Sequence, residues 1–369
     1  MSNPLSIYHE ISIGAILDEF PELVRLVRGA RDCKVSLPCS QESPKANGIV
    51  FISDSRHFEK TLDSPVSAIV IASKWADLAA KTDDTKLAGK TILESASPYL
   101  AMAKINARFF KPIDDMDSVD EQRIHSSAIV AKSAKISPGV KIGPGAVIGE
   151  HAVIGSNTAI GALAYVGHGT TVGSDARIHA QAYVGPNCRL GDRVELKPHC
   201  VIGSDGYGFA HDTKNQHHRI PHYGGVILEN DVHIGACTAI DAGTFEPSHI
   251  GAGTKIDNHC HFGHNIRIGK NCLFTGGQLA AGSVTIGDNC VFGGRVTITG
   301  HIKIASNVSV APFTGVSCSI EKPGLYGGLP PIELRESQRI QMSLRHLPRM
   351  RRMLAKIVKQ LSIPDETES

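Results

Sequence analysis

The stretch AIVAKSAKISPGVKIGPGAVIGEHAVIGSNTAIGALAYVG (residues 128–167) decides the fold, because its branched aliphatics return every six residues. Val130, Ile136, Ile142, Ile148, Ile154, Ile160 and Val166 open a register that continues through Val172, Ile178, Val184, Leu190 and Leu196 to Ile202. It resumes at Leu228, Ile234 and Ile240 and slips by four residues. It then runs from Ile250 through Ile256, Phe262, Ile268, Phe274, Ala280, Ile286, Phe292, Ile298, Ile304 and Val310 to Val316. Neither the period of a helix nor that of a flat strand gives six. A hexapeptide solenoid does: each unit supplies one short strand and one turn, and three units close a triangular coil of eighteen residues. The aliphatic must face inward, since it alone is large and apolar enough to fill such a prism.

Two residues before each aliphatic runs a column of small residues, among them Ala146, Ala152, Thr158, Ala164, Thr170 and Ala176, which also face inward near the corners. Five of the nine cysteines (Cys188, Cys200, Cys260, Cys272 and Cys290) fall in this column, where Cys serves as a compact hydrophobe. The start MSNPLSIYHE has no signal-peptide character, and no apolar run is long enough to span a bilayer. The expectation is a reduced, cytoplasmic protein with no transmembrane segment, no disulfide framework and no zinc-type CxxC pairs. The 369 residues leave room for two or three domains, and 37 glycines with 5% aromatics suit a narrow prism with tight corners. A net charge of +2 implies no general attraction to nucleic acid.

Residues 1–110 do not count in sixes. Ile11 to Arg28 carries apolar residues at helical spacing and ends at Gly29, which predicts a helix with a glycine C-cap. GIVFIS (48–53), AIVIAS (68–73) and KTILES (90–95) predict strands, and Pro98 to Phe110 a helix with Pro in its first turn. This is a separate small α/β domain, and the acidic, aperiodic residues 111–127 read as a linker to a β-helix over 128–318. Beyond it, residues 319–369 read as a helical extension. Ile340, Leu344, Leu347, Leu354, Val358 and Leu361 form a stripe, Pro348 bends the helix or starts a second one, and seven Arg or Lys between Gln338 and Gln360 meet no acid. Such a face is either a solvated surface on a packed stripe or a docking surface for an acidic protein or an anionic membrane.

The repeat is interrupted between Ile202 and Leu228, by a glycine- and histidine-rich excursion, and between Ile240 and Ile250. Loops leaving a rigid stack can wall a pocket. His264 and His301 each follow an inward residue by two or three positions, so neither belongs to the core. Their separation of two coils plus one residue puts them on one edge, roughly 10 Å apart at strand spacing. His259, His261 and His264 could suggest a metal, but on a turn their side chains diverge, and no metal is expected.

GSDGYGFA (203–210), VHIGACTAIDAGT (232–244), KIDNHCHFGHNIRIG (255–269) and GGRVTITGHIKI (293–304) together resemble the UDP-3-O-(3-hydroxyacyl)glucosamine N-acyltransferase family of lipid A biosynthesis. The resemblance extends over essentially the whole chain. It implies an N-terminal uridine-binding domain, a left-handed β-helix and a C-terminal helical extension. It also implies a cytoplasmic homotrimer, of Gram-negative type, that moves a 3-hydroxyacyl chain from acyl carrier protein to the 2-amine of a UDP-3-O-acyl-glucosamine. The acyl group rides on the carrier's phosphopantetheine, and no cofactor is bound by the enzyme itself. His264 matches the family's general base and Asn265 its neighbour. Asp257 matches an acidic position, and His301 a second histidine at substrate or pantetheine. A backbone N–H near the Gly263 turn is expected to serve the oxyanion, and the acyl chain is expected near Phe313 and Gly315. Phe51 matches one of two aromatics that stack on uracil, His57 or Phe58 falls at the second, and Asp54 stands where the family has Asn. Ala242 replaces an Arg, and His261 is found where Gln is frequent. Another hexapeptide sugar-nucleotide acyltransferase, such as the O-acyltransferase of the preceding step, would share the sixes and a histidine. A non-catalytic β-helix trimer would share the sixes alone.

Overall fold

The structure, a computed structural model, describes residues 10–82, 84–87, 89–110, 124–328 and 334–361. The chain divides into two compact units, Met1–Asp114 and Asp115–Ser369. Most of the segment read as a linker lies outside the described residues.

In the first unit a five-stranded sheet runs in the order Arg25–Arg28, Thr91–Ser95, Ala68–Ala72, Gly48–Ile52, Leu37–Pro38, parallel except at the Arg25–Arg28 edge. Continuous apolar strands mean that both sheet faces are covered. Ile49, Phe51, Val70 and Leu93 pack with Ile13, Ile16 and Ile105 on one side. Val50, Ile52, Ile69 and Ile92 pack with Phe58 and Leu62 on the other. The helix expected over Ile11–Arg28 is only Ile13–Glu19, capped by the Ser12 hydroxyl, and Arg25–Arg28 is a strand. Pro21 accounts for the difference, because it pushes Phe20 out of the helical region. Gly29, at φ 98°, ends that strand rather than a helix, and a Cβ there would meet Thr91 at 2.7 Å.

The second unit is a left-handed parallel β-helix whose three faces hold ten, ten and nine stacked strands. Partners are eighteen residues apart, as in Lys141↔Ala159 and Tyr165↔Tyr183. The register stretches at Glu195↔His233, across the long excursion, and again at His233↔Lys255, across the short one. Every repeat aliphatic from Ile142 to Val316 is buried, and the small column shares its core. In the later coils the core alternates large and small, with Phe262 above Ala280 and Phe274 stacked on Phe292 at 4.7 Å. The corners turn through residues at positive φ, often Asn, as at Asn157, Asn187 and Asn265, a residue that tolerates the left-handed region. Two helices, Leu334–Leu344 and Leu347–Leu361, follow the prism, with Pro348 in the first turn of the second. Their apolar residues, Leu344, Leu347 and Leu354 among them, are exposed in the single chain.

Candidate active site

The strand His261–Phe262 lies on the second face of the prism, and the chain turns away from it through Gly263, His264 and Asn265 at φ 58°. Phe262 is drawn into the core, so the following residues are thrown onto the corner. The imidazole of His264 extends over the next coil, where a Cβ on Gly282 would come within 2.7 Å of Nε2. On its other side Gly206 of the long excursion comes so close that a Cβ there would stand 2.6 Å from His264 Cβ. Both glycines are required by the ring. Ser283 N–H donates to the His264 carbonyl at 2.9 Å, and His301 N–H to that of Gly282 at 3.2 Å. His301 is therefore on the same corner, two coils on.

The second excursion sets the tautomer of His264. Asn265 Oδ1 accepts from the Thr244 N–H and from the Thr244 hydroxyl, both at 3.1 Å, and Asn265 Nδ2 donates to the Glu246 carbonyl at 3.3 Å. These partners fix the amide's orientation, so the 3.0 Å contact between His264 Nδ1 and Asn265 Oδ1 needs the proton on Nδ1. Nε2 is left as the basic nitrogen. A histidine held this way is a ready proton acceptor.

Two groups that sequence reasoning missed complete the corner. Asp241 follows the inward Ile240 and is only 6% exposed, with Oδ1 accepting from the Ser204 hydroxyl at 3.1 Å and Oδ2 lying 3.8 Å from His261 Nε2. Burial pushes its carboxyl above the ordinary value, while His261, Ser204, His264 and His222 oppose the shift. His222, from the excursion, stands edge-on to His264 with ring centroids 5.4 Å apart, and burial lowers its pKa. Its two ring nitrogens are enclosed with no hydrogen-bond partner among the described residues. It lines a cavity of about 530 Å³ under the excursion, with Tyr183, Ser204, Arg219 and Tyr223. The signal in the sequence was the break of the count directly after Ile240, which frees the next side chain from the ordinary turn. His222 gave no signal among the other histidines of the excursion.

The remaining expected residues are more scattered. His261 points outward beside Asp241. Asp257 does not join His264: it sits at the corner before the second face, across that face's full width, and accepts the Gly276 N–H at 2.9 Å. The Gly263 N–H is taken by the Ala280 carbonyl at 2.8 Å, so this group cannot serve an oxyanion. Gly315 faces outward on the second face where a Cβ would meet nothing within 4 Å, beside a cavity of about 470 Å³ also lined by Val316, Ile320 and Tyr326. Phe313 is exposed at the preceding corner under the Arg295 guanidinium. In the first unit Phe51 is 8% exposed in the core, which leaves little of its ring open to a stacked base. Asp54 caps the helix Ser55–Leu62 by accepting the His57 N–H at 3.2 Å, and it also accepts from His57 Nδ1 at 2.8 Å. That hydrogen bond holds the Asp54 carboxyl below its usual value. No group of three or more His, Cys, Asp or Glu among the described residues is arranged to hold a metal ion. No helix among them is long and apolar enough to cross a membrane.

Comparison with known proteins adds to this geometry. Residues 120–207 match the model for the GMPPB C-terminal domain, and residues 283–311 that for the hexapeptide repeat of succinyl-transferase. A UDP-3-O-acylglucosamine N-acyltransferase of Campylobacter jejuni subsp. doylei is 50% identical over 131 residues, 36% of this chain and 41% of its own length. The chain thus spans about two fifths of that relative. A solved Arabidopsis UDP-N-acetylglucosamine acyltransferase is 23% identical and covers 67% of this chain and 85% of its own, with a TM-score of 0.45. The broadest of these matches is a UDP-3-O-acylglucosamine N-acyltransferase of Anaeromyxobacter dehalogenans, 35% identical over 271 residues, 71% of this chain and 73% of its own length. On that match the chain belongs to the family of UDP-3-O-acylglucosamine N-acyltransferases.

Proposed function

We propose that the protein is an acyltransferase of lipid A biosynthesis that moves a 3-hydroxyacyl group from the phosphopantetheine thioester of acyl carrier protein to the 2-amine of UDP-3-O-acyl-glucosamine, with His264 as general base. The observation that carries this is the tautomer lock: Asn265 Oδ1 accepts the hydrogen bond from Nδ1–H of His264, which leaves Nε2 as the unprotonated nitrogen over Gly282. The acceptor nitrogen attacks the thioester carbonyl and His264 Nε2 removes its proton. The tetrahedral adduct then expels the thiolate, which takes the proton back as the free thiol. The products are an amide and a thiol, with no covalent enzyme intermediate and no metal or cofactor step.

The other assignments follow from position. His301, two coils along the same corner, contacts the donor arm or the substrate. The open surface at Gly315, with Phe313 before it, takes the acyl chain. Asp257 lies on the far corner from the His264 of its own chain, and in a cytoplasmic homotrimer with its sites between prisms it would act at the His264 of a neighbouring copy. The basic C-terminal helices supply charge that acyl carrier protein, an acidic partner, would match. The first unit binds the uridine through the Asp54 and His57 edge. The test is transfer from 3-hydroxyacyl carrier protein to the 3-O-acylated UDP-glucosamine by native protein and His264→Ala. Loss of a general base lowers the rate by about a hundredfold to ten-thousandfold. A native protein that transfers nothing, or a variant of undiminished rate, defeats the assignment.

A further inference from the structure

The carboxylate of Asp241 is buried beside the histidines of this corner: Oδ2 lies 3.8 Å from His261 Nε2, and its partner Ser204 stands two residues before Gly206, where a Cβ would meet His264 at 2.6 Å and His222 at 3.0 Å. Three observations bear on its role. Its side chain is enclosed, and its hydroxyl partner is Ser204, brought in by an irregularity in the pairing of Val201–Ser204 with Ala239–Asp241. The groups whose charges act on it are imidazoles from three separate elements: His261 on the next coil, His264 at the corner, and His222 from the excursion. Behind His222 stand Arg219 and Asp205, which are ion-paired with each other.

A carboxylate in this position is poorly solvated and faces imidazoles rather than a fixed cation. That arrangement is costly to the resting fold and favourable only when one of the imidazoles becomes a cation. A fixed negative group in a low-dielectric setting stabilises a developing positive charge more strongly than water does. The acyl transfer proposed above creates such a charge when His264 Nε2 takes the acceptor's proton.

We infer that Asp241 is a positioning residue of the reaction: its carboxylate, anchored by Ser204, holds the charge that His264 acquires during transfer, with His261 and His222 as the other walls of the same cluster. The inference rests on His264 being the base, and it concerns how that base is made effective. The proton path is unchanged, from the acceptor nitrogen to His264 and on to the leaving sulfur, and Asp241 exchanges no proton in it.

The test is Asp241→Asn, which keeps shape and removes charge. The rate constant kcat/KM falls roughly tenfold or more, and the acidic limb of its pH profile moves to lower pH, as expected when a neighbouring negative charge is lost. Ser204→Ala, which leaves the carboxylate but not its anchor, gives a smaller fall. Stability moves the other way. A carboxyl with a raised folded pKa contributes stability below its unfolded value and loses it as pH rises through the folded one. At neutral pH the Asn variant therefore melts no lower than native protein. A purely structural Asp241 predicts the opposite pair, a lower melting temperature with an unmoved pH limb, and that result overturns the inference. NMR titration of the His264 ring proton in native and Asp241→Asn protein provides a readout independent of turnover. No displacement to lower pH in the variant also defeats the inference, even if the substrate assignment fails on other grounds.

Discussion

The first and second faces of the prism are built on the same backbone, and up to the excursions they carry opposite surfaces; beyond them the first face also turns outward Leu273 and Val291. On the first, the outward residues of successive coils include Lys141, Arg177, Glu195, His233 and Lys255. Glu195 there accepts from His179 at 3.1 Å and Lys197 at 2.5 Å and faces His233 at 3.5 Å. On the second face the same positions read Ile129, Val147, Tyr165, Tyr183 and Val201, and the two tyrosine rings stack at 5.1 Å within 6° of parallel. The inward residue is dictated by the prism, whereas the residue one position earlier answers only to what lies outside. Where the second face continues past the excursions it carries His261, Leu279, Thr297 and Gly315, so the apolar ladder leads directly into the candidate active site.

An exposed apolar ladder on a rigid face is a surface that needs covering, and in the proposed trimer a second copy of the chain would cover it. Tyr165→Asp puts a charge where that contact would bury it. An unpaired buried charge costs several kcal/mol, so association should weaken by about a hundredfold or more. Light scattering should then report the 39.3 kDa of a single chain, where the proposed trimer predicts a larger native particle. Transfer should fall with it if the site needs a neighbouring copy. A native particle of single-chain mass defeats the proposed trimer, and a trimer unaffected by Tyr165→Asp moves its interface to another face.

At the corners of the prism the next effect separates the turn as scaffold, after the third-face strand Val153–Ile154, from the turn as site, after the second-face strand His261–Phe262. Asn157 and Asn265 hold the same left-handed conformation at φ 59° and 58°. Asn157→Ala gives up only that backbone preference, about 1 kcal/mol in thermal or denaturant unfolding. Asn265→Ala also gives up the partners at Thr244 and Glu246 and the lock on the His264 tautomer. We expect a further rate loss of roughly tenfold to a hundredfold in the same acyl-transfer assay, because a base in the wrong tautomer cannot accept the proton. Equal rates for the two variants would reduce Asn265 to another corner asparagine.

Much of this was legible in the sequence, and the reason is mechanical. The inward aliphatics, the small column and the outward histidines at 264 and 301 follow from one count, because in a stacked coil a residue's number fixes its direction. The first unit was legible only where strands were continuous. Pro21 overruled a helical spacing that runs on to Arg28. Asp257 was assigned by likeness to the family and lies a full face away from His264 within one chain, a separation that the count itself would have given. Asp241 was marked only by the break of the count directly after Ile240, and His222 was out of reach because the excursion that positions it leaves the register, and with it the only ruler the sequence provides.

The charged face offers the smallest effect and a clean sign. The hydrogen bond from His179, with help from Lys197 and His233, holds the Glu195 carboxyl down at about 2, against an ordinary value near 4.5. A depressed folded pKa contributes stability above the unfolded value and loses it as pH falls toward the folded one. Native protein should therefore shed this contribution between pH 4.5 and 2, while Glu195→Gln starts lower at neutral pH by about 1–3 kcal/mol and shows no such fall. The ladder of Ile129, Val147, Tyr165, Tyr183 and Val201 on the second face has nothing comparable to titrate in that window. Its Tyr183 is pushed above the ordinary tyrosine value, by burial first and by Tyr165 second, and so stays neutral throughout. If melting temperatures of native and Glu195→Gln protein run parallel from pH 7 to pH 2, the Glu195 cluster contributes nothing to the fold. The charge ladder would then be a surface pattern only, and the contrast between the faces would rest on the tyrosines alone.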